Sequence, residues 1–215
     1  MLKLHDYYRS TACYRVRIAL HLKKLNFETL TCDLVKDGGT QHTSEFKRLN
    51  PQGLVPALED TEHDIILAQS LAILEYLDEQ YPIPSLLPTS PVLRAQARRI
   101  ANIIACDMHP LNNLRVLKYL TNTLSQTEEI KIEWYHHWLK CGFDAIESLL
   151  ISTGLIGDFC IGNQVTLADI CLVPQVYNAR RFEFSMNDYP NIVKIEERCL
   201  NMSAFDKATP ENCME

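Results

Sequence analysis

Tyr8-Arg9-Ser10-Thr11-Ala12-Cys13-Tyr14-Arg15-Val16-Arg17-Ile18-Ala19-Leu20 follows a stretch, Leu2 to Tyr8, in which Leu2 and Leu4 alternate with Lys3 and His5. Alternation with a period of two predicts a strand. Beyond Thr11 the period changes. Val16, Ala19 and Leu20 fall at i, i+3 and i+4, and Ile18 and Leu22 widen the stripe, which predicts a helix. Two hydroxyls and a thiol therefore sit where a strand hands over to a helix N-terminus. First-turn N–H groups lack intrahelical partners and carry the positive end of the dipole, so an anion such as a thiolate is stabilised there. Ser10 or Thr11 can donate a hydrogen bond to it. The same residues also serve as ordinary helix caps.

Strands and helices keep alternating downstream. Phe27 to Leu34 reads as a second strand, with Leu30, Cys32 and Leu34 on one face, followed by a loop through Gly38-Gly39-Thr40-Gln41. A short helix is predicted over Ser44 to Leu49, closed by Asn50-Pro51-Gln52-Gly53. Val55 to Glu59 and Ile65 to Ala68 read as short strands joined by a polar turn, and Ser70 to Tyr81 as a helix. The order β-α-β-α-β-β-α argues for a mixed sheet with helices packed on it.

Four of the ten prolines then fall between Pro82 and Pro91, so no regular element continues there. The predicted organisation is an α/β domain over 1–82, a linker over 83–91 and an all-helical domain over 92–215. The second half carries long amphipathic stretches over roughly 92–124, 128–150, 166–180 and 189–200. Thr166-Leu167-Ala168-Asp169 reads as a capping box opening a strongly apolar central helix. From about Lys207 the tail reads as polar and frayed.

The chain has 215 residues, 47% of them hydrophobic, and a net charge of −6. A sizeable core is therefore available, and nothing in the overall balance favours nucleic acid. No apolar run reaches the roughly 20 residues of a bilayer span, and the N-terminus lacks the features of a secretory signal. A soluble, cytoplasmic protein is expected, with no membrane and no nucleic-acid partner. The eight cysteines form no C-x-x-C pair and have no zinc spacing with the seven histidines, so no metal site is expected.

A small α/β domain, a proline-rich linker and an all-helical domain with a capping box resemble the cytosolic glutathione transferases. Ser10 to Leu20 is similar to the zeta-class signature Ser-Ser-Cys-x-Trp/His-Arg-Val-Arg-Ile-Ala-Leu. Asn50-Pro51-x-Gly53-x-Val55-Pro56-x-Leu58 and Gln69-Ser70-Leu71-Ala72-Ile73-x-Glu75-Tyr76-Leu77 match further family segments, as do Asp37-Gly38-Gly39, Asn113-Leu114, Cys141-Gly142-Phe143 and Asp169-x-Cys171-Leu172-Val173-Pro174-Gln175. The likeness spans nearly the whole chain. One departure stands out: the signature's cysteine position is Ala12, and a cysteine follows as Cys13. Helical neighbours lie about 100° apart, so Cys13 does not substitute for it.

The resemblance implies a thioredoxin-like N-terminal domain that binds glutathione, with a cis peptide bond at Val55-Pro56 exposing the backbone of Val55 to the tripeptide. It implies that Gln41 meets the glycyl end of glutathione and that Gln69 and Ser70 meet the γ-glutamyl end. Ser10, with Thr11, is implied as the thiolate stabiliser, ahead of Tyr7 or Tyr8. Arg15 and Arg181 are candidate cations for a dicarboxylate or keto-acid substrate, although either can equally be a structural salt bridge. His109 and Asn113 lie where family members contact glutathione or substrate. The implied activity is glutathione-dependent cis-trans isomerisation of maleylacetoacetate to fumarylacetoacetate in tyrosine and phenylalanine catabolism, by a homodimer. Maleylpyruvate isomerisation, conjugation or dehalogenation of small α-halo acids, and a non-catalytic binding module stay open as alternatives.

Overall fold

The structure, a computed structural model, describes residues 1–214, apart from the side chain of Asp37; Glu215 lies outside the described residues. The chain forms two compact units. One comprises residues 1–86 together with the segment from Asn201 onward, and the other residues 87–200.

The first unit is a four-stranded sheet of β1 (Leu2–Asp6), β2 (Phe27–Thr31), β3 (Ala57–Asp60) and β4 (Ile65–Ala68) in the order β2-β1-β3-β4. β1 runs parallel to β2, through the crossover helix α1 (Thr11–Leu22), and antiparallel to β3, which pairs antiparallel with β4. Helices α2 (Ser44–Leu49) and α3 (Ser70–Gln80) complete the unit. Leu2 and Leu4 of β1, Leu58 of β3, Val16, Ile18 and Leu20 of α1 and Ile73, Leu74 and Leu77 of α3 are all buried. The alternation along β1 and the helical stripes thus meet in one core.

The element order agrees with the sequence reading, but several boundaries move. β1 stops at Asp6, not Tyr8, because the chain turns there: the Ser10 N–H donates to the Tyr7 carbonyl at 2.8 Å. β2 stops at Thr31, although the Cys32 N–H still donates to the Asp6 carbonyl at 2.7 Å. β3 begins only at Ala57, after a cis Val55–Pro56 peptide, since proline has no N–H to give a ladder.

The tail is a larger correction. Instead of fraying, the chain from Asn201 forms α9 (Ser203–Asp206) and a 3-10 turn over Pro210–Cys213, and α9 packs on α1. Phe205, Ala208 and Pro210 are buried. An aromatic ring and two small apolar residues supply the burial, and polar neighbours hide it in the sequence.

The second unit is predominantly helical: α4 (Pro91–Asn102), α5 (Leu114–Lys118), α6 (Glu128–Ser152), α7 (Leu167–Arg181) and α8 (Pro190–Leu200). The stretch over 92–124 that reads as continuous is broken by two π-helical turns, Ile103–Met108 and Tyr119–Thr123. Their i→i+5 bonds include His109 N–H to Ile104 C=O at 2.9 Å and Leu124 N–H to Tyr119 C=O at 3.0 Å. The capping box forms as read. Thr166 Oγ1 accepts from the Ala168 N–H, and Asp169 accepts from the Thr166 N–H at 2.8 Å.

Candidate functional site

Ser10 is the N-cap of α1, extended at φ −70°, ψ 119°, and its Oγ accepts the Cys13 N–H at 3.3 Å. Accepting that bond uses a lone pair and leaves the hydroxyl proton to donate elsewhere. Thr11 is the buried first residue of the helix, so its N–H belongs to the unpaired first turn. Cys13 is fully buried, and burial is the main cause that pushes its thiol well above the usual range; the nearby Asp6 charge adds to this. It is a core residue and not a reactive thiol, which settles its place beside Ala12 in the departed signature. Tyr7 and Tyr8 sit in the turn, their rings 5.1 Å apart.

Arg15 and Ser70 come together. Arg15 is 1% exposed, and its Nη1 donates to Ser70 Oγ at 3.2 Å. Ser70 opens α3, so a buried guanidinium stands beside the positive end of an eleven-residue helix. Two like-signed fields reinforce one another there and favour an anionic group. Gln69, immediately before, holds φ 69° and ψ 110°, a backbone state that costs an L residue on the order of 1–3 kcal/mol. Its Nε2 donates to Gln52 Oε1 at 2.7 Å. That bond ties the strained position to the loop that leads into Val55–Pro56.

Gln41 is 5% exposed, with its Nε2 donating to the Leu34 carbonyl at 3.3 Å. Its Oε1 is buried and accepts no hydrogen bond among the described residues. Two glycines make the room for it. A Cβ on Gly39, at φ 97°, would stand 2.5 Å from the Gln41 amide, and one on Gly53, at φ 63°, would stand 2.9 Å from the Gln41 carbonyl oxygen. The glycines either side of Gln41 in space are thus part of the site. The signal for this is the Gly38-Gly39 and Gln52-Gly53 turns, which the sequence reading matches to family segments without assigning them a place beside Gln41.

A second residue that the sequence reading passed over is Arg17. It is 1% exposed and donates to Asp6, the Tyr8 carbonyl and the Ala208 carbonyl. Its signal was an arginine set among the apolar positions of α1, where a charge survives only with partners.

The remaining candidates lie in the second unit. His109 is half-buried and caps the first π turn. Asn113 caps α5, accepting the Arg115 N–H at 3.1 Å. Arg181 is exposed at the end of α7 with its guanidinium 5.0 Å from the Phe182 ring centroid, whereas the neighbouring Arg180 is taken by Glu196. Among the described residues, no group of three or more His, Cys, Asp or Glu side chains is arranged to hold a metal, and no helix is long and apolar enough to cross a membrane.

A β-α-β-α-β-β-α unit with a proline before β3 and a hydroxyl at the N-cap of α1 has the layout of a thioredoxin-like domain. Residues 4–86 match the glutathione S-transferase N-terminal domain family. The chain is 49% identical to a probable maleylacetoacetate isomerase of Vibrio cholerae, over 98% of this chain and 96% of that protein. Among solved structures it is similar to a maleylpyruvate isomerase described as a bacterial zeta-class glutathione S-transferase, with a TM-score of 0.93, 43% identity and coverage of 98% and 97%. It is also similar to a maleylacetoacetate isomerase of Methylobacterium extorquens AM1 with bound malonate and glutathione, with a TM-score of 0.93, 37% identity and coverage of 99% and 98%. The chain belongs to the zeta class of the glutathione S-transferases.

Proposed function

We propose that this chain catalyses the glutathione-dependent isomerisation of maleylacetoacetate to fumarylacetoacetate. The observation that carries the reading is Ser10, a hydroxyl at the N-cap of α1 that already accepts one N–H and retains its own proton to donate. It stands in a chain nearly half identical, over almost its whole length, to a probable maleylacetoacetate isomerase.

The residues of the first unit suit the tripeptide. The orphaned, buried Oε1 of Gln41 suits an amide N–H. The backbone of Val55, next to the cis-proline, suits a peptide backbone. Ser70 and Gln69, backed by Arg15, suit a carboxylate at the start of α3. One amide-accepting group, the peptide backbone of Val55 and one anion-accepting helix end match the parts of glutathione. When bound, glutathione supplies the nucleophilic sulfur whose addition to the maleyl double bond, and later departure, permit rotation to the trans isomer.

The protein's own contribution is electrostatic. Ser10 donates its hydroxyl proton, and the first-turn N–H groups at Thr11 and Ala12 add dipolar stabilisation, so the thiol ionises near neutral pH. Residues 1–86, together with the segment from Asn201 onward, act as the glutathione-binding unit and residues 87–200 as the substrate unit. In the latter, Arg181 is the candidate for a substrate carboxylate, with His109 and Asn113 as further polar contacts. The protein works as a cytoplasmic homodimer in tyrosine and phenylalanine catabolism. A second reading, isomerisation of maleylpyruvate, draws support from the likeness to a maleylpyruvate isomerase.

Turnover of maleylacetoacetate with and without glutathione, in wild type and Ser10→Ala, tests this. Activity that needs glutathione and falls about 100-fold in the variant is expected. Faster turnover of maleylpyruvate would favour the second reading. No glutathione-dependent turnover of either acid would overturn both.

A further inference from the structure

Arg17 spends its planar fork on three separate pieces of chain. Nη1 donates to Asp6 Oδ1 at 2.7 Å, at the end of β1. Nη2 donates to the Tyr8 carbonyl at 2.9 Å, in the turn between β1 and α1. Nε donates to the Ala208 carbonyl at 3.0 Å, 191 residues further along the chain, in the C-terminal segment that packs on α1. The ion pair with Asp6 is shielded from water, with side-chain exposures of 2% and 4%. Every acceptor lies in the same compact unit as Ser10.

The turn that Arg17 grips is the one that carries Ser10. Tyr8 lies two residues before it, and the Ser10 N–H bonds the carbonyl of Tyr7. Ser10 is therefore held from the helix side by its bond to Cys13 N–H and from the strand side by a turn pinned to a buried guanidinium. The hydroxyl itself is at a long 3.3 Å from the Cys13 N–H, so its position depends on that turn.

We infer that Arg17 and the C-terminal segment form a clamp that sets Ser10, making Arg17 a positioning residue for thiolate formation. The inference rests on the reading of Ser10 given above. Arg17 does not act through its charge, which Asp6 balances at 2.7 Å. It acts through the geometry of three donors, which a lysine cannot reproduce. The strap from Asn201 onward becomes part of the catalytic apparatus without touching a ligand.

The experiment titrates the thiol of bound glutathione by the ultraviolet absorbance of its thiolate, alongside kcat and KM, in four full-length proteins. Wild type is compared with Arg17→Lys, which keeps the charge and loses the fork. Pro210→Gly loosens the buried strap away from Arg17 and Ser10. Lys23→Met removes a buried cation at the C-cap of α1, where it bonds Asp78, Tyr81 and Pro84.

In Arg17→Lys, the thiol pKa is expected to rise by about one unit and kcat to fall about tenfold, with KM for glutathione within about twofold. Pro210→Gly is expected to raise the thiol pKa by about half a unit and to lower kcat about threefold, which keeps the test alive if Arg17→Lys does not fold. Lys23→Met is expected to melt earlier with the thiol unchanged. A folded Arg17→Lys with wild-type thiol pKa and kcat would overturn the inference. So would a shift as large in Lys23→Met, which makes Arg17 general support of the fold. Failure of wild type to ionise bound glutathione would overturn the reading of Ser10, and the clamp with it.

Discussion

Besides Arg15, helix α1 buries Arg17 in its body and Lys23 at its C-cap, and these two use the same chemistry for different purposes. Lys23, the C-cap, donates to Asp78 Oδ1 at 3.0 Å and to the carbonyls of Tyr81 and Pro84 at 2.6 and 2.7 Å. Arg17 likewise satisfies one aspartate and two carbonyls. In both cases a desolvated charge is tolerated because an opposite charge and further acceptors surround it. The difference lies in who owns the carbonyls. Those of Lys23 belong to the end of α3 and the proline-rich stretch, so it ties the end of one element to the chain that leaves it. One of those held by Arg17 belongs to the turn bearing Ser10. A buried cation's role is thus read from the segments it joins, not from its burial or pairing.

The largest effect separating the two cations is expected from Lys23→Met. Removing the lysine leaves Asp78 buried without its cation, held by the Leu86 N–H and the Ser85 hydroxyl, and strips two carbonyls of a donor. Breaking a buried pair from one side costs about 3–5 kcal/mol. The chemical-denaturation midpoint should fall accordingly. A loss under about 1 kcal/mol would mean that Asp78 finds other partners and that the two cations differ less than their geometry implies.

Ser70→Ala probes the site end through a different contact. Arg15 loses the acceptor at 3.2 Å, and the start of α3 loses its hydroxyl. KM for glutathione is expected to rise about tenfold with kcat changed less than about twofold, because the proposed carboxylate contact would be uniform between ground and transition states. Steady-state kinetics in varied glutathione check it. A fall in kcat with KM unmoved would place Ser70 among the groups that govern the thiol and erase the division of labour between α1 and α3.

How much of this was legible in the sequence follows the range of the interactions. The handover at Ser10, the order of strands and helices, and the Thr166–Asp169 box all depend on residues a few positions apart, and pattern found them. The clamp on Ala208 joins residues 191 positions apart through a backbone carbonyl, which has no residue signature at all. The cradle of Gln41 is similar: Gly39 and Gly53 matter because of which side chain they approach in space. The helical stretch over 92–124 reads as continuous because each π turn inserts one residue and rephases the apolar stripe, while either side remains amphipathic. Arg15 illustrates the reverse limit. Its place in the signature was legible, but not that it stands buried behind Ser70.

The smallest effect, and the one that reads the strap directly, concerns His21 in the last turn of α1. A helix C-terminus ordinarily favours a protonated histidine. Here the ring's pKa is lowered, first by desolvation and then by the charges of Lys207 on the strap and Arg17 in the clamp. The folded protein therefore resists a proton that the unfolded chain accepts near its ordinary pKa of about 6.5. Above that pH both states are neutral and His21 contributes nothing. As pH falls below it, the unfolded state binds more protons and stability is lost. The group is partly exposed, so solvent screens the effect. Between pH of about 7.5 and 5.5, His21→Gln should retain about 1–2 °C of Tm that wild type loses. Lys207→Gln should raise the His21 pKa in an NMR titration, since it removes a repelling charge without touching the ring's burial. An unmoved His21 would mean that the strap's lysine points elsewhere, leaving the Ala208 carbonyl and the packing of α9 to couple the C-terminal segment to α1.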